Sequence, residues 1–429
     1  MRRLTRRHAS KIGTGSSLFW SLTIAVVVLP GCCRRPHSPF KGLTHQEARA
    51  LAERLALRRD RELQADLRSA FVNHPPKNVL ILSGGDAHGA FGCGILNGWR
   101  NAPAGRPKFD VVTGVSTGAL IATFAFLGEE QDDATLREVY TTIRDKDVFK
   151  GLFNSSSVFG TAPLKRLIAR YVTQDAIRRV AAAHYEGRRL YATTVELESG
   201  AVCIWPLSKI AFDAIHPTSP LSAKDSGGDV IGAANIDPGG VERFRQVLLA
   251  AASIPVFFPP VEIDGGVHFD AGLREALSLR LFMLGLRRAG DAASVQAADP
   301  SSMGKPIVAP TVWAVINGKL RSPPEAIRNN LLSIGARSLE VYNETVVILS
   351  LRDAAHVAAT HSPPFQFRWL SEPDELEAGP GMSLFQPMFD PKVTKRLYAA
   401  GEPLGQAGPS AWKVGPPPLD ADELVRPDN

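Results

Sequence analysis

The chain has 429 residues, 44% hydrophobic and 21% charged, which is enough for one large α/β domain with appendages or for two ordinary domains. Its formal charge of +6 includes Arg2, Arg3, Arg6, Arg7 and Lys11, so loss of residues 1–31, which hold no acidic residue, would leave +1. A remainder so close to neutral excludes an electrostatic case for a nucleic-acid partner, and four cysteines are too few for a disulfide scaffold.

The first segment reads as an export signal. A basic stretch from Met1 to Lys11 precedes an apolar run from Leu18 to Leu29. About a dozen apolar or small residues are too few to cross a bilayer, which takes roughly 20, but they suit the core of a signal peptide. Leu29-Pro30-Gly31-Cys32 resembles the lipobox of bacterial lipoproteins, which would make residues 1–31 a signal peptide and Cys32 the acylated N-terminus of an exported, membrane-anchored protein. An ordinary signal peptide or an uncleaved anchor helix is the plainer alternative. Residues 32–75 are expected to form a tether and an amphipathic helix. Thr44-His45-Gln46-Glu47 is a capping-box pattern, continued by Leu51, Leu55, Leu63, Leu67 and Phe71 at mostly helical spacing. Glu53, Asp60, Glu62 and Asp66 interrupt its basic residues, which favours packing on a domain over lying on an anionic membrane.

Pro75-Pro76 punctuates the chain, and Asn78 to Ser83 then reads as a buried strand. A glycine-rich turn and a helix through Trp99 follow. Phe109 to Thr113 is a second buried strand, followed by a tight turn and an apolar helix from Thr117 to Leu127, stopped by Gly128. Helices are expected over 132–147, 161–184 and 242–252, with strands over 189–196, 201–206, 261–270, Thr311–Ile316 and Thr345–Leu351. Residues 216–241 and 290–310 read as long loops, the first a possible lid. Strands alternating with helices predict a three-layer α/β/α sandwich with a mainly parallel central sheet. That domain is drawn at 76–353, with an extension over 354–400 packed on it and a Pro/Gly-rich disordered tail over 401–429. Cys93 and Cys203 sit in apolar surroundings and are expected to be free and buried. No Cys/His cluster has metal-ligand spacing, so neither metal nor cofactor is expected.

Gly114-Val115-Ser116-Thr117-Gly118 is a G-x-S-x-G sequence between a buried strand and an apolar helix, the context of a nucleophile elbow. The competing interpretation is a tight turn whose serine merely caps the helix. Ser83-Gly84-Gly85-Asp86-Ala87-His88-Gly89 also joins a strand to a helix, where backbone N–H groups can hold an anion. The dinucleotide pattern fails here, because Asn97 stands where its third glycine belongs, and no phosphate-binding G-x-x-x-x-G-K-[ST] occurs. An oxyanion hole beside the elbow is the economical reading.

Those motifs, followed by Asp270-Ala271-Gly272 and preceded by Leu248 to Pro260, resemble the patatin-like phospholipase family in order and local context over roughly residues 76–290. The resemblance implies hydrolysis of (phospho)lipid acyl esters by a serine–aspartate dyad without metal. Carried onto this chain, it implies Ser116 as nucleophile, Asp270 as base, and Gly84, Gly85 and Asp86 around the oxyanion. The chain departs from the pattern at Asp86, where a third glycine is usual, and at His88, where arginine or lysine is usual. Asp264-Gly265-Gly266 mimics the aspartate motif, but Asp-Gly between two apolar runs marks a hairpin turn, which leaves Asp270 at the end of the returning strand. His268 should share a face with Asp270 as a packing or hydrogen-bonding residue. Two other readings compete. One is a triad hydrolase using His356 or His361. The other is a catalytically weak lipid-binding envelope lipoprotein, a reading that Asp86 favours.

Overall fold

The computed structural model describes residues 39–73, 76–151, 157–216, 236–275, 309–321, 331–360, 364–376 and 388–417, with a few single positions between them. The expected signal segment, Cys32, most of the loops drawn over 216–241 and 290–310, His361 and residues 418–429 lie outside these.

In chain order the helices are α1 (His45–Asn73), α2 (Gly89–Arg100), α3 (Thr117–Leu127), α4 (Glu130–Thr142), α5 (Asp145–Val148), α6 (Ala162–Tyr171), α7 (Gln174–Tyr185), α8 (Leu207–Ile215), α9 (Pro238–Ala251), α10 (Leu331–Thr360) and α11 (Pro391–Gln406). The strands are β1 (Asn78–Leu82), β2 (Val111–Val115), β3 (Arg189–Glu196), β4 (Val202–Pro206), β5 (Val261–Ile263), β6 (Gly266–Asp270), β7 (Thr311–Val315), β8 (Gln366–Leu370) and β9 (Lys413–Val414).

Uniformly apolar strands need cover on both faces, because successive side chains point to opposite sides. In β1, Leu80 and Leu82 enter one core while Val79 and Ile81 enter another. β7 repeats the division, with Trp313 and Val315 in the first core and Val312 and Ala314 in the second. Helices α2, α3 and α9 fill the first core, and α10 with the end of α1 fills the second. The result is the three-layer sandwich expected from the sequence.

Among the described residues the sheet runs β5-β6-β3-β2-β1-β7-β8-β9, with β4 also paired to β3. β3, β2, β1, β7 and β8 are parallel; β4, β5, β6 and β9 join antiparallel. The chain steps from β1 to β2 to β3, then returns to place β7 on the other side of β1. That reversal opens a crevice at the carboxyl ends of β1, β2 and β7, where open α/β sheets bind ligands.

Several local expectations hold. Thr44 N–H donates to Glu47 Oε2 at 2.8 Å, and Glu47 N–H donates to Thr44 Oγ1 at 3.3 Å, closing the capping box. Leu67 is buried, and Asp66 accepts from Arg189 Nε at 2.8 Å and Tyr191 OH at 2.6 Å, so α1 packs on the domain. Asp264 (φ 53°) and Gly265 (φ 78°) make the left-handed turn between β5 and β6. Cys93 and Cys203 are buried and free.

Three expectations are corrected. Thr345–Leu351 is not a strand but lies within α10, where Val347, Leu351, Ala354, Ala355 and Ala358 are buried at helical spacing. A short apolar run does not distinguish strand from buried helix. The sheet also does not stop at 353, because β8 pairs in parallel with β7. Residues 401–417 are not a disordered tail: they complete α11 and form β9. The physical reason is close helix packing. A Cβ at Gly401 would stand 2.2 Å from Phe91 O, and one at Gly98 2.0 Å from Glu402 O, so the glycines let α11 touch α2 backbone to backbone. Trp412 then buries its ring against Trp99 and Trp313, with centroids 4.9 and 5.0 Å away.

Candidate active site

The elbow forms because two glycines permit what no other residue could. A Cβ at Gly114 would lie 2.2 Å from Gly118 O, and one at Gly118 would lie 2.4 Å from Ser83 O. With β2, α3 and the β1 turn pressed together, Ser116 is forced to φ 54°, ψ −128°, a strained conformation for a residue bearing a side chain. It occupies the N-cap position of α3, yet its side chain makes no capping hydrogen bond. The hydroxyl is therefore not spent on the helix end, which removes the simple-cap interpretation. The partial positive charge of the α3 N-terminus lies behind it.

The β1 turn lies directly against this serine. A Cβ at Gly84 would be 3.1 Å from Ser116 Cβ, and one at Gly85 (φ 145°) would be 1.8 Å from Asn317 O. Asp86 follows in left-handed backbone, φ 49°. Among the described residues no backbone or side-chain acceptor takes the N–H of Gly84, Gly85 or Asp86. Free amides beside a strained serine suit an oxyanion.

Asp270 arrives from the far side. It ends β6, pairs with Thr194 of β3, and its N–H donates to Ser253 O at 2.9 Å. The carboxylate accepts from Gly272 N–H at 2.8 Å, and the Ser116 hydroxyl lies close enough to favour its charged form. Burial lifts its pKa from 3.8 to about 7, against the pull of those two donors; the Asp86 charge adds to the rise. The structure thus brings together Ser116, Asp270 and the Gly84–Asp86 turn. His268 is not part of this group. Its ring lies 3.1 Å from Thr194 Oγ1 and edge-on to Trp205, and burial pushes its pKa down to about 4. His356 is exposed on α10.

A cleft of about 830 Å³, part of it open to solvent, runs away from Ser116. Its walls are almost wholly apolar: Leu120, Phe124, Leu164, Ile168, Phe258 and Phe389 are typical. The polar residues bordering it are Asp86, Ser116, Thr117, Tyr140 and Tyr171. Burial lifts the Asp86 carboxyl to about 6, and the charge of His88 draws it back.

Two residues that the sequence did not reveal hold this site. Asn317, after β7, donates through its backbone N–H to Ser83 Oγ and through Nδ2 to Ser83 O, both at 2.8 Å, so it braces the root of the glycine turn. Glu372, after β8, is wholly buried and meets His88 Nδ1 at 2.8 and 3.0 Å. Burial alone would lower the His88 pKa; the Glu372 carboxylate outweighs it and the net shift is upward. His88 also acts on Asp86 through its charge, while its hydrogen bond goes to Glu372. Among the described residues no group of three or more His, Cys, Asp or Glu could hold a metal, and no helix is long and apolar enough to cross a membrane.

No curated protein matches the sequence. Among solved structures, the crystal structure of VipD from Legionella pneumophila aligns over 80% of this chain and 68% of its own, with 12% identity and a TM-score of 0.35. The family model described as "Patatin-like phospholipase" matches residues 80–283, a span that contains the glycine turn, the Ser116 elbow and Asp270, so this part of the chain is similar to the patatin-like phospholipases.

Proposed function

We propose that the protein hydrolyses carboxylic esters of lipids through a Ser116–Asp270 dyad and an acyl-enzyme. The family sets the reaction class, lipid acyl hydrolysis. The observation that carries the finer reading is a serine hydroxyl, unused by its own helix, beside a buried carboxylate at the polar end of an apolar cleft. An ester would lay its acyl chain along the cleft. Ser116 Oγ attacks the carbonyl carbon while its proton passes to Asp270, whose raised pKa makes it a competent base near neutral pH. The amides of Gly84, Gly85 and Asp86 receive the oxyanion, each donor being worth roughly 10²–10³ in rate. Collapse breaks the C–O bond, and Asp270 returns the proton to the departing alkoxide. Water, deprotonated by Asp270, then releases the fatty acid and restores the hydroxyl.

No imidazole bonds to Ser116 among the described residues, which favours the dyad over a triad. The sequence pattern around Cys32 supports export and lipid anchoring at a bacterial membrane as part of the same proposal. Labelling with a fluorophosphonate probe tests the chemistry: the wild type should label at Ser116 and Ser116→Ala should not. An intact fold without labelling would leave a lipid-binding lipoprotein as the better account. Mass spectrometry of the mature N-terminus tests the anchor, and an unmodified Cys32 would overturn it.

A further inference from the structure

The polar end of the cleft carries an unusual charge arrangement. Asp86 borders the same space as Ser116, held there by left-handed backbone, and no lysine or arginine is among the described residues that line the cleft. His88, the cationic group among the described residues whose charge acts on Asp86, is already bonded to the buried Glu372. Beyond these, the charged or titratable groups around Asp86 are Asp270 at the end of β6, Tyr140 of α4, and Glu340 of α10, which acts on His88. Acidic groups therefore outnumber cationic ones where the alcohol half of an ester must sit, because its acyl half fills the apolar part.

We propose that the cleft selects uncharged acyl esters, such as acylglycerols, over phosphate-bearing lipids, and that the Asp86 carboxylate is the residue that sets this selectivity. The proposal rests on the hydrolase reading above and goes beyond it by naming the substrate class. An anionic phosphate one or two carbons from the scissile ester would approach Asp86 and Asp270 with no arginine or lysine among the described lining residues to receive it, and discrimination by repulsion is a general device of specific sites. Near a protein surface, like charges several ångströms apart repel enough for roughly ten- to thirtyfold discrimination.

The test compares kcat/KM for a monoacylglycerol and for a lysophosphatidylglycerol of the same acyl chain, both in neutral detergent micelles. The pair differs by a phosphoglycerol group, whose one charge is on the phosphodiester. The ratio within one enzyme cancels the shared dependence on Asp270 and any change in absolute rate. The wild type should prefer the uncharged ester by roughly tenfold or more at pH 8. Since Asp86 titrates near about 6, that preference should shrink as pH falls through this region, while the phosphodiester stays ionised. In Asp86→Asn the ratio should fall about tenfold and lose its pH dependence, and Asp86→Gly should do the same. A ratio near one in the wild type, or one unmoved by pH and by both variants, overturns the proposal while leaving the hydrolase intact. If both variants are inactive, the pH dependence of the wild-type ratio decides alone. Failure to cleave either ester at Ser116 refutes the hydrolase reading and this proposal with it.

Discussion

Two pairs of aspartates sit in or at the edge of this domain's interior, and the fold treats them in opposite ways. Asp132 and Asp133 open α4 and are surrounded by guanidinium groups. Arg179 reaches Asp132 at 2.7 and 2.9 Å; Arg106 reaches Asp133 at 2.9 Å, and Arg100 bonds it as well. Among the described residues no lysine or arginine pairs with Asp86 or Asp270. Asp270 has only hydroxyl and amide donors beside it and Asp86 only the charge of His88, and burial lifts Asp86 to about 6 and Asp270 to about 7. Charge that serves stability is matched by a cation, whereas unmatched buried charge is a standing cost that usually marks a site. A carboxylate whose pKa sits near neutrality is also the only kind that can take a serine's proton with useful force.

The contrast would be broken most decisively at Asp270. Asp270→Asn should lower ester turnover by about 10⁴-fold, the scale of losing one member of a catalytic unit. It should do so without loss of stability. Asp270 has a folded pKa raised above 3.8, so the folded state binds the extra proton and stability falls as pH rises from about 4 through about 7. The amide removes that cost, and thermal melts at pH 8 should show a Tm equal to or above the wild type. A clearly lower Tm would mean that Asp270 is a structural charge like Asp133.

The converse holds on the paired side. Asp133→Ala should cost about 3–5 kcal/mol by denaturant unfolding, because it leaves the buried Arg106 without its counter-charge. Turnover per folded molecule should stay near that of the wild type. A mild loss of stability would show that these arginines find other partners, and the contrast between the two pairs would weaken.

The legible parts of this molecule were those that the chain decides locally. Gly114 to Gly118 sits between an apolar strand and an apolar helix, and Asp264-Gly265 sits between two short strands, so each turn could be assigned from its immediate neighbours. Asn317 and Glu372 were invisible because their partners lie 234 and 284 positions away, and nothing near an isolated Asn or Glu says which loop it will brace. Residues 401–417 misled for another reason. Glycine and proline were counted as signs of disorder, whereas Gly401 and Gly405 are where α11 presses on α2. Composition does not distinguish a glycine that frees the chain from one that lets two helices meet.

Asn317 offers a test of intermediate size, because it supports the site without touching substrate. Asn317→Ala removes the 2.8 Å bond from Nδ2 to Ser83 O but keeps the backbone bond to Ser83 Oγ. The glycine turn should lose positioning more than the fold loses stability: about ten- to hundredfold in kcat, against roughly 1–3 kcal/mol in unfolding. If kcat is unchanged while stability drops, Asn317 belongs with the structural contacts.

The smallest expected effect is the most specific to the unpaired pair. For an uncharged ester, kcat/KM of the wild type should rise with pH to a plateau, with its midpoint near about 7, because Asp270 must be ionised to act as base. Burial is the main reason that midpoint is high, and it persists in any Asp86 variant. The Asp86 charge is a lesser contributor in the same direction, since one anion disfavours ionisation of its neighbour. Asp86→Asn should therefore move the midpoint to lower pH while leaving it above the ordinary 3.8 of an aspartate. A midpoint that stays put would mean that the two carboxylates do not sense each other across the serine. A midpoint that moves up would mean that Asp86 ordinarily draws a positive group, His88, toward the base, reversing the sign of its influence on the site.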